Sequence, residues 1–252
     1  MSNVPAAGHA LDVLTLLAAH PAPVPAATIT RRLGLPRSTT YHLLATLIER
    51  GFVAHLPEER RYGLGPAAYE LGTAYQRQAP LQRFARPILS RLAEVSTHNA
   101  HLAVLHGRDV LYVIEERAPG RPLLVTDVGV RLPAALTASG LAMLAALPGP
   151  QITALFPDRT ALVQRDGRGP TTVTALRREL TTTRTRGYAH EVDLVTAGLA
   201  SVAYAVLDHT GHPVAGVALT YPAPGVDAAG EAALAAQVRR AAEALSRRLA
   251  GR

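Results

Sequence analysis

Arg37, Ser38, Thr39, Thr40, Tyr41 and His42 set a guanidinium, short hydroxyls, a phenol and an imidazole side by side. These groups hydrogen-bond base edges and phosphate oxygens, and a helix beginning at this point would add its own positive N-terminal end. The remaining chemistry-bearing residues are sparser. His98, His101 and His106 are close in sequence, and His209 and His212 bracket a turn, but no carboxylate or further imidazole falls at a metal-ligand spacing. They read as surface or turn histidines, with no metal site. Glu191 and Asp193 have the spacing of solvated strand or loop residues more than of an acid/base pair. Neither G-x-S-x-G nor G-x-G-x-x-G follows a strand pattern. With no assembled nucleophile and base, no enzyme activity and no cofactor are expected.

Composition narrows the classes further. The chain has 252 residues with no cysteine, and its 26 basic residues are all arginine. That excludes disulfides, thiolate chemistry, a P-loop lysine and a Schiff-base lysine. A net charge of +7 favours a polyanionic partner, and 48% hydrophobic against 18% charged residues is the balance of a folded protein. Residues 132–157 carry no charge, but prolines and glycines punctuate them too closely for a membrane span. Leu11 to Ala19 contains Asp12 and no basic residue precedes it, which argues against a secretion signal. A soluble, cytoplasmic protein with no membrane partner is expected.

The elements that must position the polar run follow from periodicity. Ala10 to Ala19 places Leu11, Leu14 and Leu17 on one helical face. Ala26 to Leu33 is a second helix closed by Gly34, and Arg37 to Arg50 a third, entered through Pro36 and ended by Gly51. Turning Leu43, Leu44, Leu47, Ile48 and Thr40 inward leaves Arg37, Ser38, Thr39, Tyr41 and His42 outward. Phe52 to Ala54 and Tyr62 to Leu64 flank the polar stretch His55–Arg61 as a hairpin that brings Arg60 and Arg61 to its tip. This is a winged helix-turn-helix pattern, although a structural three-helix unit with a solvated arginine surface would share it. Residues 1–65 form that domain. Residues 66–79, with Ala68, Leu71 and Tyr75 at helical spacing between prolines, form a linker helix, and 80–252 a second domain.

In that second domain Arg83 to Ser96 is a helix with Phe84, Ile88, Leu92 and Val95 inward, followed by a hairpin of His101–Leu105 and Val110–Glu116. An extended segment Val125–Val130 precedes a short helix Ser139–Leu147, and a longer helix Val173–Arg186 ends at Gly187. Apolar strands Ser201–Asp208 and Val214–Tyr221 lead to a terminal helix Glu231–Leu249. The class is α+β on one antiparallel sheet. Thr137, Ser139 and Gly140 open the helix in the uncharged segment, where free N–H groups suit a carboxylate, and Ser201 and Thr220 offer hydroxyls from neighbouring strands. A merely capped core helix would look the same.

The segments HALDVLTLLAAHP (9–21), GLPRSTTYHLLATLIERGFV (34–53), RYGLGPAAYELG (61–72) and EVDLVTAGLASVAYAVLDHTGHPVAGVALT (191–220) resemble the IclR family of transcription regulators. The resemblance covers nearly the whole chain. It implies a winged helix-turn-helix, a linker helix and a GAF/PAS-like effector-binding domain with an antiparallel sheet flanked by helices. It also implies double-stranded operator DNA as partner, self-association as a dimer or tetramer, and repression or activation switched by a small organic acid. Carried onto matching positions, the effector site comprises the Ala138 and Ser139 N–H groups, Glu191, Ser201, Ala218 and Thr220, beside Gly140. Ala135 departs from the histidine common in relatives, and Ala218 stands where some carry a hydroxyl. Fewer polar groups suggest a more apolar, aromatic acid. An enzyme acting on small acids and a DNA-binding module with a filled pocket are the rival readings.

Overall fold

Proline at the first helical position costs no hydrogen bond, and the first helix, α1 (Pro5–Ala18), starts there, well before its leucine repeat. The computed structural model describes residues 4–78, 80–121, 126–165 and 167–250. Ala79, Val125 and the side chain of Tyr75 lie outside the described residues. The chain divides into two compact units, Met1–Ala79 and Pro80–Arg252.

In the first unit α1 is followed by a short strand, β1 (Val24–Pro25), then α2 (Ala26–Leu33) and α3 (Arg37–Glu49). Gly34 ends α2 at φ 63°, a left-handed backbone that favours glycine, and its N–H returns to the Thr30 carbonyl. Strands β2 (Val53–Leu56) and β3 (Arg61–Leu64) and helix α4 (Pro66–Gln78) complete the unit, with β1, β3 and β2 side by side in one antiparallel sheet. Val13, Leu17, Ile29, Leu44, Leu47, Val53 and Tyr62 form the core.

Several expectations are corrected here. Leu11 and Ile48 are exposed, because the buried stripe of α1 runs through Val13 and Leu17, and that of α3 through Thr40, Leu44 and Leu47. The hairpin is longer than expected, pairing out to Leu56 with Arg61. His55 lies opposite Tyr62 and stacks on it at 4.6 Å, an aromatic pair that extends the ladder. The proline-bearing link before α2 also supplies β1, pairing Val24 with Tyr62.

The second unit begins with α5 (Pro80–Ser96), β4 (Asn99–His106) and β5 (Asp109–Glu116). The expected strand after Val125 is a turn at 128–129, and the strand comes later as β6 (Arg131–Pro133). A 3-10 turn (Ala134–Leu136), α6 (Ala138–Ala146), α7 (Gly149–Leu155) and α8 (Val173–Arg186) precede β7 (Ala189–Val192), β8 (Leu199–Leu207), β9 (Pro213–Pro222) and α9 (Ala228–Leu249). The strands form a six-stranded antiparallel sheet in the order β6-β5-β4-β9-β8-β7. Helices α5 and α9 cover one face through Leu89, Leu92, Val238 and Leu245. On the other lies α6, almost wholly buried, backed by Leu176 and Leu180 of α8. Val95, expected inward, is exposed, and Ala85, Leu89 and Leu92 make the stripe of α5. The uncharged segment is thus a core layer, and no helix among the described residues is long and apolar enough to cross a membrane.

Glycine is required at two places under α6. A Cβ on Gly140 would fall on the Ala134 carbonyl oxygen of the 3-10 turn, and one on Gly216 of β9 would lie 2.8 Å from the Ser139 carbonyl oxygen. The first turn of α6 is therefore pressed against both the turn before it and the sheet beneath it.

Candidate nucleic-acid interface and ligand cavity

Burial of Thr40, Leu44 and Leu47 sets the rotation of α3 about its axis, and the Thr40 hydroxyl is satisfied locally by donating to the Pro36 carbonyl at 3.2 Å. Arg37, Ser38, Tyr41 and His42 then project from the unit and Thr39 is half-buried at the same end. Tyr41 is 42% exposed, and the Arg37 guanidinium lies 5.7 Å above its ring, a cation–π contact that orders the arginine before any partner arrives. No side chain caps the start of α3, so the first-turn N–H groups of Arg37, Ser38 and Thr39 are not taken up by a cap. Cationic and hydrogen-bonding groups are thus exposed together at one helix end.

The hairpin tip, Pro57–Arg60, is less basic than it looks. Arg60 holds a left-handed backbone at φ 52°, between Glu59 and Arg61. The Arg61 guanidinium donates to the Pro23 carbonyl at 3.1 Å and lies 3.9 Å from Glu59. It ties β1 to the hairpin, and Arg60 is left as the freer cation of the pair.

In the second unit, six predicted or neighbouring positions meet across the sheet. Glu191, Ser201 and Thr220 are direct cross-strand partners on β7, β8 and β9, and Ala218 pairs with His101 of β4. Alternation along each strand sends these side chains to the α6 face, where Tyr112 of β5 joins them. They form the floor of a cavity whose roof is Thr137, Ala138 and Ser139, with Thr126, Val195, Thr196 and Leu199 at the sides. The Ser201 and Thr220 hydroxyls are 3.0 Å apart. The Thr137 hydroxyl caps α6 by accepting the Gly140 N–H at 3.0 Å, so that donor is spent, and Gly140 serves close packing and not the cavity lining. The N–H groups of Ala138 and Ser139 stay without an intrahelical acceptor.

Electrostatically the cavity is unusual. Glu191 is 5% exposed, and burial pushes its carboxyl up to about 7 against the opposing hydrogen bonds from Ser201 and the Leu194 and Val195 backbone. The reading of this residue as solvated is corrected, because the β7 pairing turns it inward. His101 is corrected likewise: it is 1% exposed, and burial drives its imidazole down to about 4, so it is neutral. Burial also raises the Tyr112 phenol, whose hydroxyl lies beside those of Thr137 and Ser139. His98 is half-buried, while His106, His209 and His212 lie at loop ends. Among the described residues no group of three or more His, Cys, Asp or Glu could hold a metal ion. The cavity is tight, with room for about one water.

His101, Tyr112, Thr126, Thr137 and Thr196 are lining residues that reasoning from sequence missed. β4 is buried on both faces and so shows no polar/apolar alternation from which the direction of His101 could be read. The cavity is more polar than the substitutions at Ala135 and Ala218 suggested.

Comparison with known proteins agrees in both units. Residues 6–57 match the IclR helix-turn-helix domain, and residues 73–247 match the C-terminal domain of the bacterial transcriptional regulator IclR. The chain is 34% identical to the glycerol operon regulatory protein of Streptomyces coelicolor, over 99% of this chain and 98% of that one. Among solved structures, the IclR transcriptional regulator of Alicyclobacillus acidocaldarius superposes with a TM-score of 0.85 at 24% identity, over 97% of this chain and 98% of that one. An IclR homologue from Microbacterium hydrocarbonoxydans, complexed with 4-hydroxybenzoate, gives 0.81 at 22% identity, over 98% of this chain and 100% of that one.

Proposed function

Because the chain belongs to the IclR family of bacterial transcriptional regulators, and is a DNA-binding regulator and not an enzyme, we propose that its operator binding is modulated by a small carboxylic acid held in the cavity under α6. Residues 1–65 would read DNA, 66–79 link, and 80–252 sense the acid. The observation that carries the DNA half is the outward polar face of α3 over its inward Thr40, Leu44 and Leu47. Arg37, Ser38, Thr39, Tyr41 and His42 would enter the major groove, with Arg60 of the wing near the backbone and Arg61 contributing through the shape of the hairpin. The exposed Tyr69 and Leu71 of α4 support self-association, which would set two α3 helices about 34 Å apart for successive grooves.

For the acid, the Ala138 and Ser139 N–H groups and the positive end of α6 would take the carboxylate. Among the described residues no arginine lines the cavity, so a protonated Glu191 would be the group that makes a second carboxyl tolerable there. The cavity must widen for any acid, and a short one asks for less widening than the aromatic acid suggested by Ala135 and Ala218, while the Microbacterium homologue holds 4-hydroxybenzoate.

Arg37→Ala is expected to weaken operator binding by about 1–3 kcal/mol with a smaller loss on random DNA, as read by fluorescence anisotropy. Equal losses on both would make Arg37 a phosphate contact. Glu59→Gln removes an acid from the wing tip and should tighten binding about threefold at low salt, with the gain shrinking as salt rises. A salt-independent gain would show instead that the hairpin had changed shape.

A further inference from the structure

Glu191, Ser201 and Thr220 all have hydrogen bonds within the protein, but His101 does not. Among the described residues neither Nδ1 nor Nε2 of this fully buried ring has a hydrogen-bond partner, and its ring neighbour, Tyr112, meets it edge-on at 5.8 Å. An unpaired buried polar group keeps its full desolvation penalty, which a leucine at the same place on the floor would avoid. The ring lines the cavity from β4, in register with Ala218, which offers it nothing to bond. Another unpartnered buried oxygen, Thr126 Oγ1, belongs to a residue lining the same cavity. Orphaned polar atoms from a strand and a loop thus face one small space.

We propose that His101 recognises a hydroxyl group on the effector, so that the ligand is a short hydroxy-carboxylic acid with its carboxylate against the first turn of α6 and its hydroxyl against the imidazole. This rests on the effector-binding reading above. A neutral imidazole has one donor and one acceptor nitrogen, and a hydroxyl is the small group that can answer either. Held neutral by burial, the ring is a poor counter-ion for the carboxylate itself, which leaves that role to the helix end. The cavity must widen for any acid, and a chain of few atoms asks for the least widening.

The test uses the full-length protein and ligand pairs that differ by one hydroxyl: lactate with propionate, and 4-hydroxybenzoate with benzoate. Propane-1,2-diol serves as lactate without its carboxylate. Melting temperature is followed against concentration for wild type, His101→Leu and His101→Gln. Wild type is expected to prefer lactate to propionate about tenfold, the worth of one hydrogen bond to a buried group. His101→Leu should lose that preference while still responding to propionate, and His101→Gln, which keeps a donor and an acceptor, should retain much of it. Equal responses to lactate and propionate in wild type, or an unchanged preference in His101→Leu, would overturn the inference and leave the carboxylate reading standing. Stabilisation by the diol equal to that by lactate, abolished in His101→Leu, would sustain the hydroxyl contact and sink the carboxylate reading. A stronger response to the aromatic pair would overturn the short-chain assignment, and no response to any of the compounds would overturn both readings.

Discussion

Gly140→Ala is expected to lower the stability of the second unit by about 3 kcal/mol, at the upper end of overpacking costs, and to drop its melting temperature by roughly 6–12 °C. The added methyl would land on the Ala134 carbonyl oxygen, which is backbone and cannot rotate away. Helix α6 cannot lift to make room without parting from the sheet, because Ser139 already rests on Gly216. It cannot slide either, since Leu141, Met143 and Leu144 are buried along its length. Whatever yields will move the Ala138 and Ser139 N–H groups, so any response to small acids should be lost with the stability. Circular dichroism melts of the full-length variant test this. A melt within a degree or so of wild type would show that the turn before α6 is far softer than its packing implies.

Glu191→Gln should act in the opposite direction, and only above acid pH. The carboxyl titrates near 4.5 when exposed and near 7 in the fold. Below the lower value both states hold the proton and the residue adds no pH dependence. Between the two values the unfolded chain has released its proton while the folded one still holds it, so stability falls as pH rises. By pH 8 the accumulated loss is about 3 kcal/mol, since each pH step of one between those values removes roughly 1.4 kcal/mol. Glutamine has the same shape, can still accept from the Leu194 N–H through its amide oxygen, and never charges. The variant should therefore melt close to wild type near pH 4.5 and roughly 6–12 °C higher at pH 8. An equal difference at both values would mean that the effect is one of packing and that burial does not hold the proton on Glu191.

Much of this architecture is legible in the residues because local signals coincide. Gly34, Gly51 and Gly187 follow helices α2, α3 and α8 at φ values of 63°, 74° and 86°, and each was readable as a stop. The inward row of α9, Leu234, Val238, Ala241, Ala242 and Leu245, is buried as its spacing predicts. Where two faces compete, the pattern says less. Leu11, Ile48 and Val95 each fit a helical stripe on paper and are exposed, because the tilt of a helix on its neighbours decides which edge of the stripe is covered. The cavity was half readable. Ser201 and Thr220 could be paired as hydroxyls on adjacent apolar strands, but the direction of His101 and Tyr112 depends on register across β4 and β5, including a shift between Leu102 and Ala103. Register is a long-range property, and no local spacing encodes it. The spent N–H of Gly140 is a similar case, since only the cap geometry of Thr137 shows that one of the expected donors is used.

The order of the strands has a bearing on how the protein is made. The floor of the cavity joins β5 and β4 to β9, β8 and β7, with Asn99 paired to Thr220, so residues from distant stretches of chain must meet before it exists. Such pairings close late, whereas the contacts of the first unit lie within Met1–Ala79. During translation, the part that resembles a DNA reader can be folded and clear of the ribosome while the cavity of the second unit still lacks a floor. A prematurely terminated product ending before β9 would then carry the helix-turn-helix unit without a completed cavity.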